Sequence, residues 1–240
     1  METTVSMSLK GKRAIVTGST GALGMVVTRR FLDEGLRVVG CYRDPKELSE
    51  LSSSGGSHVV PVQADVTIES EVQGMFETAM RSMGGIDILV NTVGGFLPRK
   101  PVIDITVEEW DRMLNINLKS TFLCTREALR HMKDQKYGRI VNISAMVGLN
   151  PSPGRSAYAI SKSAVSLFTD IVGQEQKGSG IRINAIAPSI IDTAANRMSM
   201  PDEDFTLWVK LKNIADIICY LCSDAASDVT GTTIKAFGGM

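Results

Sequence analysis

Tyr158 and Lys162 have the residue types and the four-residue spacing of an acid–base pair. In a helix, side chains four residues apart lie on the same face, so these two would be neighbours. An ammonium group beside a phenol stabilises the phenolate, which lowers the phenol pKa from about 10 towards the range of a useful proton donor. Because a tyrosine and a lysine at this spacing are common, their meaning depends on the elements around them.

A glycine-rich turn lies between an apolar run at 13–17 and a helical pattern at 25–34. The order strand, glycine turn, helix is the context that a dinucleotide-binding loop requires. Glycines let the backbone approach a pyrophosphate, and the helix N-terminus supplies N–H donors and a positive dipole end. The sequence therefore predicts a dinucleotide bound by the turn residues Gly18, Ser19, Thr20, Gly21, Leu23 and Gly24.

The end of the next predicted strand, 37–42, bears on which dinucleotide is bound. An acidic residue at this point binds the ribose 2′-hydroxyl of NAD, whereas an arginine accommodates the 2′-phosphate of NADP. Arg43 follows Tyr42 directly and favours NADP, while the adjacent Asp44 favours NAD. We predict NADP(H) in preference to NAD(H).

Strand and helix patterns alternate along the whole chain, which predicts one α/β domain over residues 1–240. Its expected core is a Rossmann-type, doubly wound parallel sheet of about seven strands with helices on both faces. Ligands then bind at the carboxyl ends of the strands. The predicted strands are 13–17, 37–42, 59–63, 86–90, 139–143, 181–187 and 232–237, and the predicted helices are 25–34, 67–83, 106–133, 156–177 and 213–222.

Two segments between these elements carry specific expectations. Thr106 and Glu109 form a capping box, so a helix should begin there and bend near Asn115–Asn117, because two asparagines lower helix propensity. The stretch 188–205 is irregular and rich in methionine, serine and aspartate. We predict that a lid that covers the substrate occupies about 188–212.

The composition narrows the function classes. The chain has 240 residues, with 43% hydrophobic and 22% charged residues, which is ordinary for a soluble domain. The 26 basic and 26 acidic residues balance, which argues against a nucleic-acid partner. The sequence contains no run of about 18 apolar residues, so no membrane span is predicted. Residues 1–9 lack the apolar core of a secretion signal. We predict a cytoplasmic protein that acts on a small molecule.

The cysteines and histidines form no metal-binding pattern. Cys219 and Cys222 have the spacing of a redox or metal pair, but they lie in an apolar helical run without a second ligand pair. We interpret them as a buried helix face, and the four cysteines as reduced thiols. His58 and His131 are expected at the surface, and no metal is predicted.

Together these residues resemble the short-chain dehydrogenase/reductase family over nearly the whole chain. The turn from Thr17 to Gly24 is similar to the family's TGxxxGxG loop, except that Gly21 stands one place early and Ala22 fills the usual glycine position. The other landmarks follow in the family's order: Asp65–Val66, Asn91–Gly94, Asn117, Tyr158 with Lys162, and Pro188–Thr193.

The resemblance implies hydride transfer from a nicotinamide cofactor, with Tyr158 as proton donor. Lys162 would lower the Tyr158 pKa and bind the nicotinamide ribose, and Asn117 would hold a water that relays protons to Lys162. Asp65 would bind the adenine edge, although it could equally cap the following helix. A homodimer or homotetramer formed through the helices at 107–133 and 156–177 is also implied. The further cofactor-binding residues implied are Val66, Asn91, Val93, Gly94, Tyr158, Pro188, Ile191 and Thr193.

Ala145 is the main departure from the family pattern. The family's catalytic serine stands 13 residues before the tyrosine, where this chain has alanine. The adjacent Ser144 should point to the opposite side, because side chains on a strand alternate. Loss of a donor to the developing oxyanion costs about 2.7–4 kcal/mol. Either Ser152 or Ser156 replaces the missing hydroxyl, or the substrate needs less polarisation.

One branch of the family, the dihydropteridine reductases, is similar at this point, since it also carries alanine there. The phosphate loop, the aromatic Phe96 after Gly95, and the segment 196–208 resemble that branch as well. Two features depart from it: Tyr42 stands where the branch has an NADH-selecting aspartate, and strand 139–143 is closer to the common reductases. The resemblance implies substrate contacts from Phe96, Ala145, Met198 and Trp208, although Met198, Met200, Phe205 and Trp208 fit lid packing equally well.

Three functions therefore remain open. The first is reduction of an activated acceptor such as a quinonoid dihydropterin. The second is a carbonyl reductase of 3-oxoacyl thioesters or of ketones and alcohols. The third is an NADP-binding regulatory protein without turnover, against which the joint presence of Asn117, Tyr158 and Lys162 argues.

Overall fold

A seven-stranded parallel sheet forms the centre of the fold in the computed structural model, which describes residues 8–47, Ser49 and 58–240. The spatial order of the strands is β3-β2-β1-β4-β5-β6-β9. The strands are β1 (Arg13–Thr17), β2 (Arg37–Tyr42), β3 (Val59–Gln63), β4 (Ile88–Asn91), β5 (Gly138–Ile143), β6 (Ile181–Pro188) and β9 (Thr233–Ala236). The predicted doubly wound α/β fold is confirmed, and residues 1–7, for which no secretion signal is predicted, lie outside the described part.

Helices cover both faces of the sheet. They are α1 (Ala22–Asp33), α2 (Glu69–Met83), α3 (Val107–Met113), α4 (Ser120–Gln135), α5 (Met146–Leu149), α6 (Ser156–Glu175), α7 (Ala194–Ser199) and α8 (Leu211–Cys222). Most lie where the sequence predicts them. Helix α1 begins three residues early, because Gly21 already serves as its N-cap. The short α5 replaces part of a predicted loop.

Two apolar cores follow from the alternation of side chains along the strands. Ala14 and Val16 of β1 pack on the side of α1 and α8, whereas Ile15 between them packs on the side of α2 and α4. β4 divides in the same way, with Ile88 and Val90 on one face and Leu89 on the other. Strands buried on both faces read as continuous apolar runs, as β1 and β4 do.

The switch in strand order lies at β1, which pairs with β2 on one side and with β4 on the other. Connections leave this point in opposite directions, so a crevice opens beyond the carboxyl ends of β1 and β4. The glycine turn after β1 and the segment after β4 therefore meet at the same edge of the sheet. Most residues that the sequence singles out lie along this edge.

The predicted bend near Asn115–Asn117 takes the form of a π-helical segment, Leu114–Lys119, between α3 and α4. The capping box at the start of α3 is present, since Glu109 N–H donates to Thr106 Oγ1 at 3.2 Å and Thr106 N–H donates to the Glu109 carboxylate at 2.9 Å. A π-helical turn inside a longer helix is frequently found at a functional site. Here it turns the Asn117 side chain into the protein, where it is fully buried.

The predicted lid is more regular than the sequence suggests. Strands β7 (Ile191–Asp192) and β8 (Val209–Lys210) pair in parallel, with α7 and a 3₁₀ turn at Phe205–Leu207 between them. Asp192 ties the segment together, because its carboxylate binds Arg197 at 2.6 Å and Lys210 at 2.7 Å. The expectation of an irregular segment is wrong. The order comes from the pairing of β7 with β8 and of Asp192 with Lys210, which are distant in the sequence.

Candidate active site

The turn after β1 forms a backbone cradle at the start of α1. Gly18 has φ +62°, a left-handed conformation that glycine adopts without strain. Gly24 lies so close to Gly18 that an added Cβ would stand 2.0 Å from the Gly18 carbonyl oxygen. The N-cap Gly21 carries no side-chain acceptor, and first-turn N–H groups have no intrahelical partner. The cradle therefore presents N–H donors to an anion, as a pyrophosphate site requires.

A cleft of about 260 Å³ extends from this cradle across the ends of β2, β3 and β4. Of the residues predicted to bind the cofactor, it is lined by Gly18, Thr20, Gly21, Arg43, Asp65, Val66, Val93 and Gly94. It is also lined by Cys41, Tyr42, Ala64, Thr67, Thr92 and Ile116, which the sequence analysis missed. Cys41, Ala64 and Thr92 could have been predicted to line the cleft, because each lies at or next to the carboxyl end of a strand. The cleft lies at the carboxyl ends of these strands, which is where a doubly wound sheet binds its ligands.

Asp65 lines the cleft but does not cap α2, whose N-cap is Ile68, and its contact with an adenine stays a prediction. Its Oδ1 accepts from the Thr67 N–H at 2.9 Å and from Thr67 Oγ1 at 2.7 Å, a local turn just before α2. Burial acts to raise the Asp65 pKa, but the Thr67 hydrogen bonds and the charges of Arg43 and Lys119 outweigh it, so the pKa is lowered. The carboxylate stays ionised at the cleft, and its second oxygen is available to an adenine amino group.

Arg43 and Asp44, which favour different cofactors, separate in the structure. Arg43 is exposed and lines the cleft. Asp44 Oδ1 accepts from the Lys46 N–H at 3.0 Å, in a local turn. The arginine thus faces the ligand space, while the aspartate is used in shaping the loop.

Asn91 and Ser19 use their side chains inside the protein rather than at the cleft. Asn91 Nδ2 donates to Asn142 Oδ1 at 2.9 Å and to Thr125 Oγ1 at 3.3 Å. Ser19 Oγ donates to the Val16 carbonyl at 2.7 Å. Both side chains are thus used inside the protein, the Ser19 N–H donates to the Cys41 carbonyl at 2.8 Å, and contact of either residue with a cofactor stays a prediction.

Tyr158, Lys162 and Asn117 converge on the glycine turn after β4. An added Cβ on Gly94 would stand 3.0 Å from Asn117 Oδ1 and 3.1 Å from Lys162 Nζ. Asn117 Oδ1 accepts from the Gly95 N–H at 2.8 Å, and its Nδ2 donates to the Gly95 carbonyl at 3.1 Å and to Ser161 Oγ at 3.0 Å. Asn117 therefore fixes the turn between the cofactor cleft and α6. Its role in a proton relay stays a prediction.

The pKa values depart from the expectation for an isolated pair. Burial raises the pKa of Tyr158, against which the charge of Arg155 acts. Burial also lowers the pKa of Lys162 to about 8, and its Nζ donates to the Ile143 carbonyl at 2.8 Å. The expected lowering of the Tyr158 pKa by Lys162 is thus not found. The physical reason is that both groups lose solvent, which penalises the phenolate and the ammonium alike.

Ala145 follows β5 as the N-cap of α5 and is 7% exposed. Ser144 beside it is buried, and its Oγ donates to the Lys162 carbonyl at 2.8 Å and pairs with Ser166 Oγ at 2.8 Å. The expectation that Ser144 points away from the reacting centre agrees with these contacts. Among the described residues, Ser156 Oγ is buried without a hydrogen-bond partner, while Ser152 is half-buried.

Phe96 and Arg155 stand beside Tyr158. The Phe96 ring, which is 52% exposed, meets the Tyr158 ring edge-on with 5.3 Å between centroids. The Arg155 guanidinium carbon lies 4.8 Å from the Phe96 centroid, and Arg155 Nη1 donates to the Leu97 carbonyl at 3.3 Å. Phe96 was predicted from the sequence as a substrate residue, whereas Arg155 was missed.

The predicted lid contains the two other predicted substrate residues, Trp208 and Met198, which differ in burial. Trp208 is 3% exposed and packs against Phe205 with 4.7 Å between centroids, so it belongs to the lid's interior. Met198 on α7 is 82% exposed. Thr193 Oγ1 caps α7 by accepting from the Asn196 N–H at 3.1 Å, and Asn196 Nδ2 donates to the Ile191 carbonyl at 2.8 Å. Pro188 ends β6 directly before this segment.

The residues present fit a nicotinamide dinucleotide. Gly18 and Gly24 are too close together for a side chain, so the backbone stays open where a pyrophosphate would approach. Gly94, which also has no side chain, keeps the space beside Lys162 open. Arg43 and Asp65 supply a cation and an anion to the adenosine half of the cleft. Lys162 and Thr193 would meet the nicotinamide half.

The remaining residues considered for metal or redox chemistry lie elsewhere. All four cysteines are free and buried, and burial raises the Cys219 pKa to about 11. His58 is exposed, and His131 stacks on Phe76 with 5.9 Å between centroids. In residues 8–47, Ser49 and 58–240, no group of three acidic, histidine or cysteine side chains has a geometry suited to a metal. In the same part of the chain, no helix has the length and apolar character of a membrane span.

The chain matches a family model described as short chain dehydrogenase over residues 12–204. Among curated relatives, the 3beta-hydroxysteroid dehydrogenase 1 of Eggerthella lenta is 36% identical, covering 97% of this chain and 94% of that protein. The glucose 1-dehydrogenase 2 of Bacillus subtilis is 33% identical, covering 97% and 95%. The 3-oxoacyl-(acyl-carrier-protein) reductase FabG of Thermotoga maritima is 31% identical, covering 98% and 99%. None of these three is named a dihydropteridine reductase.

A solved structure is similar over the same extent. It is that of ElxO, in a variant with phenylalanine in place of a tyrosine and with NADPH bound. The TM-score is 0.89 at 26% identity, and the match covers 95% of this chain and 98% of that one.

Proposed function

This chain belongs to the short-chain dehydrogenase family and is an NAD(P)-dependent oxidoreductase; we propose that it interconverts an electron-poor carbonyl compound and its alcohol with NADP(H). The observation that carries this proposal is that Lys162 and Asn117 meet at Gly94, which lines the cleft, while Tyr158 contacts Phe96 just beyond that glycine turn. A regulatory protein without turnover would not need this arrangement.

The chemistry divides between the cofactor and the chain. A nicotinamide dinucleotide held in the cleft would supply the hydride that the carbonyl carbon accepts. Tyr158 donates its phenolic proton to the carbonyl oxygen, so that an alcohol forms. The Lys162 ammonium group, which lies beside Gly94, stabilises the phenolate left on Tyr158. Its pKa of about 8 keeps Lys162 protonated at neutral pH. A positioned acid of this kind contributes about 10²–10⁴-fold to the rate.

Ala145 supports the restriction to electron-poor carbonyls. Its methyl group offers no hydrogen bond to a developing oxyanion, and the neighbouring Ser144 hydroxyl is engaged with Lys162 and Ser166. A substrate whose carbonyl is activated by its own substituents loses less from the missing donor. The names of the relatives, which include a 3-oxoacyl reductase and a steroid dehydrogenase, favour a carbonyl substrate.

A quinonoid dihydropterin is the second candidate, and Ala145 is again the observation that favours it. Such a ring is strongly electrophilic and needs little polarisation by a hydroxyl. The exposed face of Phe96 beside Tyr158 offers a surface for a flat ring.

The preference for NADP(H) rests on Arg43. This exposed arginine lines the adenosine half of the cleft, whereas the Asp44 carboxylate accepts from a backbone N–H. An arginine at the end of β2 accommodates a 2′-phosphate, which NADP has and NAD lacks.

We further propose a cytoplasmic homodimer or homotetramer. Helices α4 and α6 present exposed apolar side chains, namely Phe122, Ile160, Leu167 and Ile171. Exposed apolar surface of this kind favours association. The four free, buried cysteines are consistent with a reducing compartment.

The experiment is the initial rate of NADPH and NADH oxidation with three acceptors: a 3-oxoacyl thioester, the methyl ester of a 3-oxo acid, and quinonoid dihydropterin. Turnover of the thioester or ester with NADPH supports the first proposal. Turnover of the pterin alone replaces it with the second. If no acceptor is reduced although NADPH binds, the substrate class proposed here is wrong.

A further inference from the structure

Arg155 lies beside Tyr158 and has no acidic partner among the residues that the structure describes. Its guanidinium stacks on Phe96, and one hydrogen bond, from Nη1 to the Leu97 carbonyl at 3.3 Å, holds it in place. The Phe96 ring in turn contacts Tyr158 edge-on. One aromatic ring therefore separates the guanidinium from the group that donates the proton. The remaining guanidinium N–H groups make no hydrogen bond to the described residues.

A second arginine adds to this positive charge. Arg99 lies against the loop before Arg155, since an added Cβ on Gly154 would stand 3.5 Å from Arg99 Cβ. The Lys100 N–H donates to the Gly154 carbonyl at 2.9 Å, which joins the two loops. Lys100 itself is neutralised by Glu109 at 2.8 Å. In the described part of the chain, neither Arg99 nor Arg155 forms an ion pair.

The charges of Arg99 and Arg155 repel each other, and Arg155 is half-buried while Arg99 is exposed. Burial lowers the pKa of Arg155, and the charge of Arg99 lowers it further. Partly desolvated charges are normally paired in proteins. A planar carboxylate matches the guanidinium fork with two parallel hydrogen bonds. Two arginines without acidic partners at the mouth of an active site therefore have the chemistry of a carboxylate site.

A matched arginine in the same molecule shows the contrasting case. The Arg197 guanidinium carbon also lies 4.8 Å from the centroid of a phenylalanine, Phe205. That arginine, however, binds the Asp192 carboxylate at 2.6 and 2.9 Å. Stacking on a phenylalanine thus leaves the fork of an arginine available to a carboxylate. At Arg155 the corresponding carboxylate is not supplied by the described residues of the chain.

We infer that Arg155, assisted by Arg99, binds a carboxylate of the substrate a few atoms from the carbonyl that is reduced, which makes Arg155 a specificity-determining residue. The inference rests on the proposed carbonyl reduction and names its substrate class as oxo acids.

The test compares oxo acids with their neutral esters. Substrates are 2-, 3- and 5-oxohexanoate and the three methyl esters, reduced with NADPH by wild type, Arg155→Gln, Arg155→Lys and Arg197→Gln. We expect wild type to prefer at least one acid over its ester. Arg155→Gln should lose about tenfold or more in kcat/KM for that acid, the size of one charged hydrogen bond, with a much smaller change for the ester. Arg155→Lys should recover part of the loss, because it restores the charge.

Arg197→Gln is the matched control, and it should alter acid and ester by the same factor. An equal loss for acid and ester in Arg155→Gln would overturn the inference, since that result indicates a structural role. A wild type that prefers every ester would overturn it as well.

A binding measurement separates this inference from the proposed function. If no oxo acid or ester is reduced, the proposed function fails, and calorimetry with hexanoate and hexanamide then decides the inference alone. Binding of hexanoate that is weakened in Arg155→Gln, with weak binding of hexanamide to both proteins, supports the carboxylate site. Equal binding of hexanoate to wild type and Arg155→Gln, or no binding to either, contradicts it.

Discussion

The two halves of the active-site cleft are built differently. The cofactor half is made by backbone: the Gly18–Gly24 contact, the N-terminus of α1 and the Gly94 turn leave space for a ligand by having no side chains. The acid half is made by side chains whose charges depend on burial, with Tyr158 and Lys162 both short of solvent. The backbone features of the cofactor half therefore indicate the family, whereas the side chains of the acid half determine which substrate can react.

Tyr158→Phe should produce the largest effect, and only in the acid half. Removal of the hydroxyl should lower kcat by about 10²–10⁴-fold, since no other positioned acid is identified. The affinity for NADPH, measured by fluorescence titration, should stay within about twofold, because backbone forms the cofactor half. A comparable loss of NADPH affinity would show that the two halves are not separable.

Lys162 makes stability depend on pH in a defined direction. Its pKa is about 8 in the folded protein against 10.5 as the ordinary value, so the unfolded chain binds more protons between those pH values. Folding is therefore favoured as pH rises through this window, by at most about 1.4 kcal/mol per pH unit. Urea unfolding should show that the free energy of unfolding of wild type rises relative to that of Lys162→Met between pH 8 and 10.

A constant difference across that range would contradict the lowered pKa of Lys162. The comparison with Lys162→Met is needed because the pKa of Tyr158 is raised, which acts on stability in the opposite direction at high pH.

Gly24→Ala should weaken cofactor binding without touching the acid half. The new Cβ would stand 2.0 Å from the Gly18 carbonyl oxygen, so the turn must shift. Overpacking of this kind costs about 1–3 kcal/mol. We expect the Kd for NADPH to rise by a corresponding factor, roughly 5- to 150-fold.

Gly74→Ala is the control for this substitution. Gly74 lies in α2 with open space where its Cβ would be. The change should leave the Kd unaltered and raise stability by about 0.5–1 kcal/mol. If both variants bind NADPH like wild type, the cradle is not the pyrophosphate site.

Arg43→Ala should give the smallest effect, and it should separate the two cofactors. Loss of one exposed charged contact is expected to raise the KM for NADPH about tenfold. The KM for NADH should not change, because NADH has no 2′-phosphate. Arg37→Ala, at the opposite end of β2, serves as the control; an equal effect on both cofactors would remove Arg43 from the selection of NADP.

The glycine turn and the break in the long helix are predictable from the sequence because their determinants are local. A glycine turn between a strand and a helix has one common use, and two asparagines in one helix predict the break that the π-helical segment provides. The acid half is harder to predict because burial is set by the whole fold. Proximity in a helix indicated a lowered pKa for Tyr158, but burial raises it.

The lid shows the same limit. Met198 and Trp208 are equally apolar by sequence, yet one is exposed and the other is buried against Phe205. Arg155 carries no motif, and only its position over Phe96 distinguishes it from other arginines. Which face of a short helix or loop turns inward depends on contacts from distant parts of the chain.

Ala145→Ser adds a hydroxyl at a position where the acid half offers the carbonyl oxygen no side-chain donor besides Tyr158. The measurement is kcat/KM of wild type and Ala145→Ser for a matched pair of substrates, methyl 3-oxohexanoate and the unactivated ketone 3-hexanone. The account predicts that the serine raises the rate for 3-hexanone more than for the ester, by up to about 10²–10³-fold. Equal rates in both proteins for both substrates, with activity lost in Ser152→Ala or Ser156→Ala, would show that another hydroxyl already fills this role and would contradict the account.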